Sequence, residues 1–145
     1  MAAPTRLVAL LLALPFALGA CGQAAKDSAG SFQGDQKDVA QTVEDLQSFA
    51  RKGDAAKICS ELLAKDLVAK IQSSSKRPCD KALKDTIADA DAFELTVKKV
   101  TVNGDRATAT VQSVGGGSQD RTETLTLVRD QSAWKIATLG AAPKA

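Results

Sequence analysis

The sequence predicts an α+β domain, in which helices from the N-terminal part pack on a four-stranded antiparallel sheet from the C-terminal part. Apolar residues recur at helical spacing between residues 36 and about 89. From Phe93 onwards they alternate with polar residues, as in strands that bury one face. Asn103-Gly104 stands between two of these alternating runs and is the strongest short signal for a β-hairpin.

The first predicted helix carries one apolar stripe, formed by Val39, Val43, Leu46, Phe49 and Ala50. Asp35 is suited to its N-cap. Gly53 can adopt the left-handed conformation that ends a helix, and Asp54 can cap the helix that follows. The sequence therefore predicts a sharp corner between two helices, with the stripe as the main cover of the sheet.

The second helical pattern runs from about Ile58 to Ile71, and Lys65-Asp66 can break it in two. Residues 72–78 are polar and predict a loop that ends in Pro78. Because proline suits the start of a helix, a third helix is expected from Cys79 to about residue 89.

The strand region changes phase within its first strand. Leu95 and Val97 share one alternation, but Val100 and Val102 follow the opposite one after Lys98-Lys99. This phase slip predicts a β-bulge or a sharp bend at the two lysines. Turn residues divide the remaining chain into three further strands, at residues 106–114, 121–129 and 133–139.

One face of this sheet is predicted to be apolar and the other to be rich in threonine. The apolar face holds Ala107, Ala109, Val111, Leu125, Leu127, Trp134 and Ile136, and the other holds Thr108, Thr110, Thr122, Thr124 and Thr126. The helices should cover the apolar face. Because the two alanines leave volume, either a helix packs closely there or a small pocket opens near Trp134. The side chains proposed to line such a pocket are Phe49, Leu83, Phe93, Ala107, Ala109 and Trp134.

The N-terminal segment has the form of a bacterial export signal. Arg6 precedes a twelve-residue apolar run at residues 7–18, shorter than the about 20 residues that a membrane-spanning helix needs. Leu18-Gly19-Ala20-Cys21 then resembles the lipobox of bacterial lipoproteins. That resemblance implies cleavage before Cys21, a lipid on its sulfur and anchoring at the extracytoplasmic side of a bacterial membrane. An ordinary secretory signal with a chance cysteine is the alternative.

On this interpretation the chain has four parts: a signal peptide (1–20), a flexible tether (21–35), a folded domain (36–140) and a disordered tail (141–145). The tether is rich in Gly, Ala and Ser, and an r.m.s. reach of about 20 Å would hold the domain just off the membrane. Phe32 is its one large apolar residue, which we expect to dock neither on the domain nor in the bilayer.

The chain has three cysteines. With Cys21 assigned to lipid, Cys59 and Cys79 remain, and an oxidising environment predicts a disulfide that closes a loop of about 20 residues. The alternative is a redox or metal-binding pair. It is disfavoured because the spacing is not Cys-x-x-Cys and the sequence contains no histidine. We therefore expect no metal site and no cofactor.

The formal net charge of the whole chain is +2. Such a near-neutral balance argues against a nucleic acid partner. The densest basic positions, Lys76-Arg77 with Lys81 and Lys84, and Lys98-Lys99, are interpreted as solvated faces. Contact of these residues with anionic lipid or cell-wall polymer is the alternative.

The order of these elements, with the Lys52-Gly53-Asp54 corner and a final strand containing Trp134-Lys135-Ile136, resembles the nuclear transport factor 2-like (NTF2-like) superfamily. The resemblance is specifically to its small secreted bacterial lipoproteins, and it covers about residues 36–139. It implies a cone in which a curved sheet wraps the helices and leaves a pocket at the open end. Enzymatic members such as ketosteroid isomerases use an Asp base and a Tyr donor. This chain has neither tyrosine nor histidine, so no catalytic residue can be assigned.

Three classes of function are consistent with the sequence. The leading hypothesis is a monomeric, non-catalytic, lipid-anchored domain that binds an envelope protein or a small apolar ligand. The second is a small isomerase or hydrolase that uses a buried carboxylate such as Asp45 or Asp85. The third is an accessory domain that docks on another envelope protein through its open sheet face. Threonine on that face argues against the third class, because strong partners usually bury an apolar patch.

Overall fold

A computed structural model describes residues 28–88, 93–115 and 118–141, without the side chains of residues 93, 115, 118–120 and 141. The helices are α1 (Asp35–Arg51), α2 (Ala55–Lys57), α3 (Lys65–Ser75) and α4 (Cys79–Thr86); the strands are β1 (Phe93–Asn103), β2 (Arg106–Gly115), β3 (Ser118–Asp130) and β4 (Ala133–Ala141). The strands form one antiparallel sheet in the order β1-β2-β3-β4. The predicted α+β class is confirmed.

Helix α1 ends in the predicted corner. Gly53 has a φ of 68°, its N–H donates to the Ala50 carbonyl, and the Asp54 N–H donates to the Phe49 carbonyl. This pair of bonds is a Schellman motif. Asp54 then caps the next turn, since its Oδ1 accepts from the Lys57 N–H at 3.2 Å. Both predictions at this corner are confirmed.

The start of α1 differs from the prediction. Gly34 is the N-cap residue, with a φ of 55°, and Asp35 is already the first helical residue. The Asp35 carboxylate binds the Arg129 guanidinium at 2.6 Å. The N-cap assignment of Asp35 was therefore wrong. Its carboxylate binds an arginine far along the chain instead of capping the N–H groups of the first helical turn.

The second helical region is interrupted earlier than expected. Helix α2 runs into a π-helical turn at Ile58–Leu62, after which Leu63 is extended and forms a parallel bridge with Ile136. Helix α3 starts at Lys65 and extends through Ser75, into the predicted loop. The serines of the last turn fit into the helix because their hydroxyls donate hydrogen bonds to carbonyls one turn earlier. Ser75 Oγ, for example, donates to the Ile71 oxygen at 2.7 Å.

The sheet carries the predicted irregularity in β1, two more in β4, and one between β2 and β3 after Ser113. The register between β1 and β2 shifts between Val97 and Lys99, so the bulge at the two lysines is confirmed. Asn103 pairs with Arg106, which places the two-residue turn at Gly104-Asp105. On β4, extra residues oppose β3 on both sides of Thr126. Bulges bend a strand and increase its twist, and the open sheet is curved.

The predicted two-faced character of the sheet is confirmed. The inner face is at most 4% exposed at Ala107, Ala109, Val111, Leu125, Leu127, Trp134 and Ile136. Val39 and Val43 of α1 pack on it and are fully buried. On the outer face, Thr101, Thr108, Thr126 and Thr138 stand in register across all four strands. The predicted disulfide between Cys59 and Cys79 is present and joins the π-helical turn to the start of α4.

Part of the predicted tether belongs to the folded domain. Ser28 and Ala29 are buried, and Glu44 Oε1 accepts from Ser28 Oγ at 3.1 Å and from the Ala29 N–H at 2.7 Å. Phe32 packs against the core, contrary to expectation. The domain therefore starts by Ser28 instead of residue 36, because Glu44 and the edge of β1 supply hydrogen bonds that composition does not reveal.

Candidate functional site: an apolar cavity between the helices and the sheet

An apolar cavity of about 280 Å³ lies between the last turns of α1 and α4 and the inner face of the sheet. The helical walls come from Leu46, Ala50, Ile58, Leu83 and Ile87. The sheet contributes Leu95, Val111, Leu125, Leu139 and Gly140. A cavity of this size is close to the lower end of the roughly 300–1,000 Å³ range of small-molecule sites.

The cavity exists because the covering helices end over the sheet. The α1 stripe ends with the small side chain of Ala50 just before the Gly53 corner, and α4 ends at Thr86. Ala50 lines the cavity, and its methyl group is too small to fill the space beneath that last turn. At the opposite wall, the bulged end of β4 brings both Leu139 and Gly140 to the cavity.

Three polar side chains interrupt the apolar lining: Gln47, Thr86 and Glu123. Gln47 is 7% exposed, and its Oε1 accepts a hydrogen bond from the Leu95 N–H at 2.6 Å. That N–H lies on the outer edge of β1, where the sheet offers no neighbouring strand. The role of Gln47 is therefore at least partly structural, because it satisfies an edge amide.

Glu123 is the charged residue of the cavity wall. It pairs with Val111, which pairs with Val97. Directly opposite residues of an antiparallel pair share a face, so Glu123 stands in a row with two buried valines. It is half-buried, and none of the side chains that the structure describes forms an ion pair or a hydrogen bond with its carboxylate.

Gly140 makes room for this glutamate. A Cβ placed on Gly140 would stand 2.9 Å from both Cβ and Oε2 of Glu123. Such distances are too short for carbon and oxygen atoms that are not bonded. The glycine on β4 thus allows the Glu123 side chain to lie against the backbone at the cavity wall.

The predicted pocket residues are distributed over three places. Leu83 lines the apolar cavity. Ala107 and Ala109 are 2% and 0% exposed and belong to the closely packed core, which is the first of the two predicted possibilities. Phe49 and Trp134 border a separate, open cleft with Asp38, Asp45 and Glu61. The Phe93 side chain lies outside the described part of the structure.

The cavity is therefore not near Trp134, where small residues suggested it. Its position depends on where two helices end, and no local composition signals that. Glu123 could have been found from the sequence, because in the run TETLTL it falls in phase with Leu125 and Leu127 and not with the threonines.

The two carboxylates considered for catalysis do not reach this cavity. Asp85 is exposed and pairs with Arg77 at 2.8 Å. Asp45 accepts from Gln41 at 3.3 Å and borders the open cleft. Within the described residues, no group of three or more His, Cys, Asp or Glu side chains is arranged to hold a metal ion.

The predicted lipid attachment site, Cys21, and the residues before it, Leu18, Gly19 and Ala20, lie outside the described residues. Seven positions after Cys21, Ser28 Oγ accepts from the Val97 N–H at 3.2 Å on the edge of β1. Ser28 therefore contacts β1 at Val97, two residues from Leu95, which lines the cavity. None of the helices described in the structure is long and apolar enough to cross a membrane.

No protein-family model matches the chain, and no curated protein is significantly similar to it in sequence. Among solved structures, the chain is similar to a Campylobacter jejuni protein provisionally described as an NTF2-like transpeptidase. The two sequences are 15% identical, and the TM-score is 0.42. The match covers 68% of this chain and 96% of that one.

Proposed function

We propose that this protein is a lipid-anchored, non-catalytic binding domain of the bacterial cell envelope, and that it binds a small apolar ligand in the cavity between α1, α4 and the sheet. The observation that carries the binding role is the cavity itself. Small domains are normally packed to a density that leaves few voids larger than a water molecule. An apolar space of about 280 Å³ at the surface is thus most simply explained by a ligand that fills it.

Two features support a role in binding without catalysis. The sequence lacks tyrosine and histidine, two residue types that commonly donate and accept protons in active sites. The cavity wall is almost entirely hydrocarbon, with single examples of an amide, a hydroxyl and a carboxylate. This composition suits burial of an apolar ligand, with few polar groups to orient it.

The proposed anchor rests on Leu18-Gly19-Ala20-Cys21 and is tested by Cys21→Ala. We expect the variant to move from the membrane to the soluble fraction and to lose metabolic labelling with fatty acid, because no other cysteine is free to accept lipid. Cys59→Ser with Cys79→Ser is the control and should remain labelled. Unchanged membrane partition of the Cys21→Ala chain would contradict the anchor.

The proposed ligand is tested by filling the cavity. Ala50→Leu adds three carbon atoms to the cavity wall, whereas Ala56→Leu makes the same change at an exposed position of α2. Native mass spectrometry of protein extracted gently from the envelope should find a bound small molecule on the wild-type chain and on the Ala56→Leu variant. The Ala50→Leu variant should lack it. Equal loading of both variants would place the ligand elsewhere.

A further inference from the structure

We propose that the ligand of the cavity is a small amphipathic cation, with a hydrocarbon body against the apolar walls and an ammonium group at Glu123. This inference rests on the proposed binding function and adds the chemical class of the ligand. It is drawn from the position of one carboxylate on an otherwise apolar wall.

The position of Glu123 is unusual for a carboxylate. Its neighbours in the same row of the inner face, Val97 and Val111, are 5% and 1% exposed, and Leu125 next along β3 is 4% exposed. Surface glutamates of a half-buried sheet normally lie on the solvent face. On β3 that face is occupied by Thr122, Thr124 and Thr126, so the strand turns its one glutamate inwards.

The charge of Glu123 is not balanced within the described part of the domain. Two other carboxylates do have a basic partner: Glu94 lies 3.8 Å from Arg51, and Asp85 lies 2.8 Å from Arg77. No described lysine or arginine lies within 4.0 Å of the Glu123 carboxylate. A half-buried carboxylate beside hydrocarbon favours any cation that can approach it, because the wall offers little solvation of its own.

A ligand must therefore satisfy two requirements at once. Its body must be apolar, because Leu46, Leu83 and Leu139 supply no hydrogen bonds. Its head must carry positive charge, because an anion would be repelled by Glu123 and a neutral head would leave the carboxylate unpaired. The volume limits the body to roughly nine groups, if each takes the approximately 30 Å³ that a water molecule occupies in the liquid.

Three probes of the same length separate the two requirements: octylammonium, 1-octanol and octanoate. The full chain carrying Cys21→Ala is titrated with each probe near neutral pH, and binding is followed by NMR of the leucine and isoleucine methyl groups of the cavity. We expect octylammonium to bind about fivefold more tightly than octanol, which is the scale of a partly exposed ion pair. Octanoate should bind more weakly than octanol.

Glu123→Gln removes the charge and keeps the shape of the side chain. In this variant octylammonium and octanol should bind equally, and octanol should bind as it does to the unsubstituted cavity. Glu61→Gln is the matched control, since Glu61 is exposed and borders the open cleft, not the cavity. It should leave the preference for octylammonium intact.

The outcomes distinguish the inference from the proposed function. Equal affinities of octylammonium and octanol, with shifts at the cavity methyl groups, would overturn the cation inference while supporting an apolar binding site. Tightest binding of octanoate would overturn it as well. Absence of binding by all three probes would contradict both. The comparison of the three probes on the Cys21→Ala chain needs no substitution at Glu123, so it is decisive even if Glu123→Gln fails to fold.

Discussion

At the scale of single residues, Gly53 shows how one position determines the shape of the helical layer. Its φ of 68° lies in the left-handed region, and no atom beyond its chain neighbours lies within 4 Å of the place where a Cβ would stand. Any penalty for a side chain there is thus a property of the backbone, not of packing. The corner it makes ends α1 above the cavity and starts the turn that carries Cys59.

We predict that Gly53→Ala destabilises the domain by about 1–2 kcal/mol, the approximate penalty for an L-residue in the left-handed region. Gly53→Asn should lose less, because asparagine tolerates this conformation. Urea unfolding of the two variants measures the difference. Equal stability of the alanine variant and the wild-type chain would show that the corner can relax.

At Gly140, unlike Gly53, a side chain would collide with a neighbouring residue. Gly140→Ala would place a methyl group 2.9 Å from the Cβ of Glu123, so the strand or the glutamate must move. We predict a loss of about 1–3 kcal/mol, as for overpacking in a closely packed site. The double variant with Glu123→Ala should recover only part of this loss, because Oε2 and Cδ are removed whereas the contact with Cβ remains. A double-mutant cycle of urea midpoints checks the coupling, and additive effects would contradict it.

At the scale of secondary-structure elements, Arg129 connects three of them. Its guanidinium binds Asp35 at the start of α1 at 2.6 Å, lies 3.6 Å from Asp105 in the β1–β2 turn, and stands 4.4 Å from the centre of the Trp134 ring. The hydrogen bond to Asp35 is the largest influence on the pKa of Arg129, and it raises that pKa above its ordinary value. The arginine thus ties the first helix to the turn end of the sheet.

We predict that Arg129→Lys lowers the urea midpoint, because lysine keeps the charge but loses the planar group that stacks on Trp134 while binding carboxylates. Arg77→Lys, at an exposed pair with Asp85, is the matched control and should have a smaller effect. The raised pKa means that the arginine contribution is complete below its unfolded pKa and is lost only as the pH rises through the higher folded value. The Arg129 proton should therefore add no pH dependence to stability around neutrality.

The periodicity of the sequence predicted the features that depend on neighbouring residues, and it missed the features that depend on residues far along the chain. The α1 stripe, the bulge after Val97 and the inward phase of Trp134 are consequences of local spacing, and all were correctly predicted. The failed N-cap at Asp35 and the burial of Ser28 both depend on partners far along the chain, Arg129 and Glu44. The position of the cavity also depends on distant residues, since it lies where helices stop covering the sheet, and local spacing does not indicate it.

At the scale of the whole molecule, both edges of the sheet are partly covered by the chain itself. On β1, the Leu95 and Val97 N–H groups donate to Gln47 and Ser28, and the Val100 carbonyl accepts from Gln36 at 3.2 Å. On β4, the Ile136 carbonyl accepts from the Ala64 N–H at 2.9 Å. Covered edges limit pairing with other strands.

The large hydrophobic residues that are exposed in the described part of the chain are Val114 and Leu139, which form no broad docking patch on the threonine face.

The disulfide connects two elements of the cavity wall. Cys59 and Cys79 are 20 residues apart and join the π-helical turn, which carries Ile58, to α4, which carries Leu83; both of these side chains line the cavity.

Replacement of both cysteines by serine should cost about 2–4 kcal/mol, chiefly because the unfolded chain regains the freedom of a closed loop. It should also weaken octanol binding, because α4 is then held by packing and the Arg77–Asp85 pair, which is exposed and contributes little. Urea unfolding and the octanol titration measure the two effects, and wild-type protein treated with reductant should reproduce the variant. A destabilised variant with unchanged octanol affinity would show that the cavity is shaped by the sheet and α1 alone.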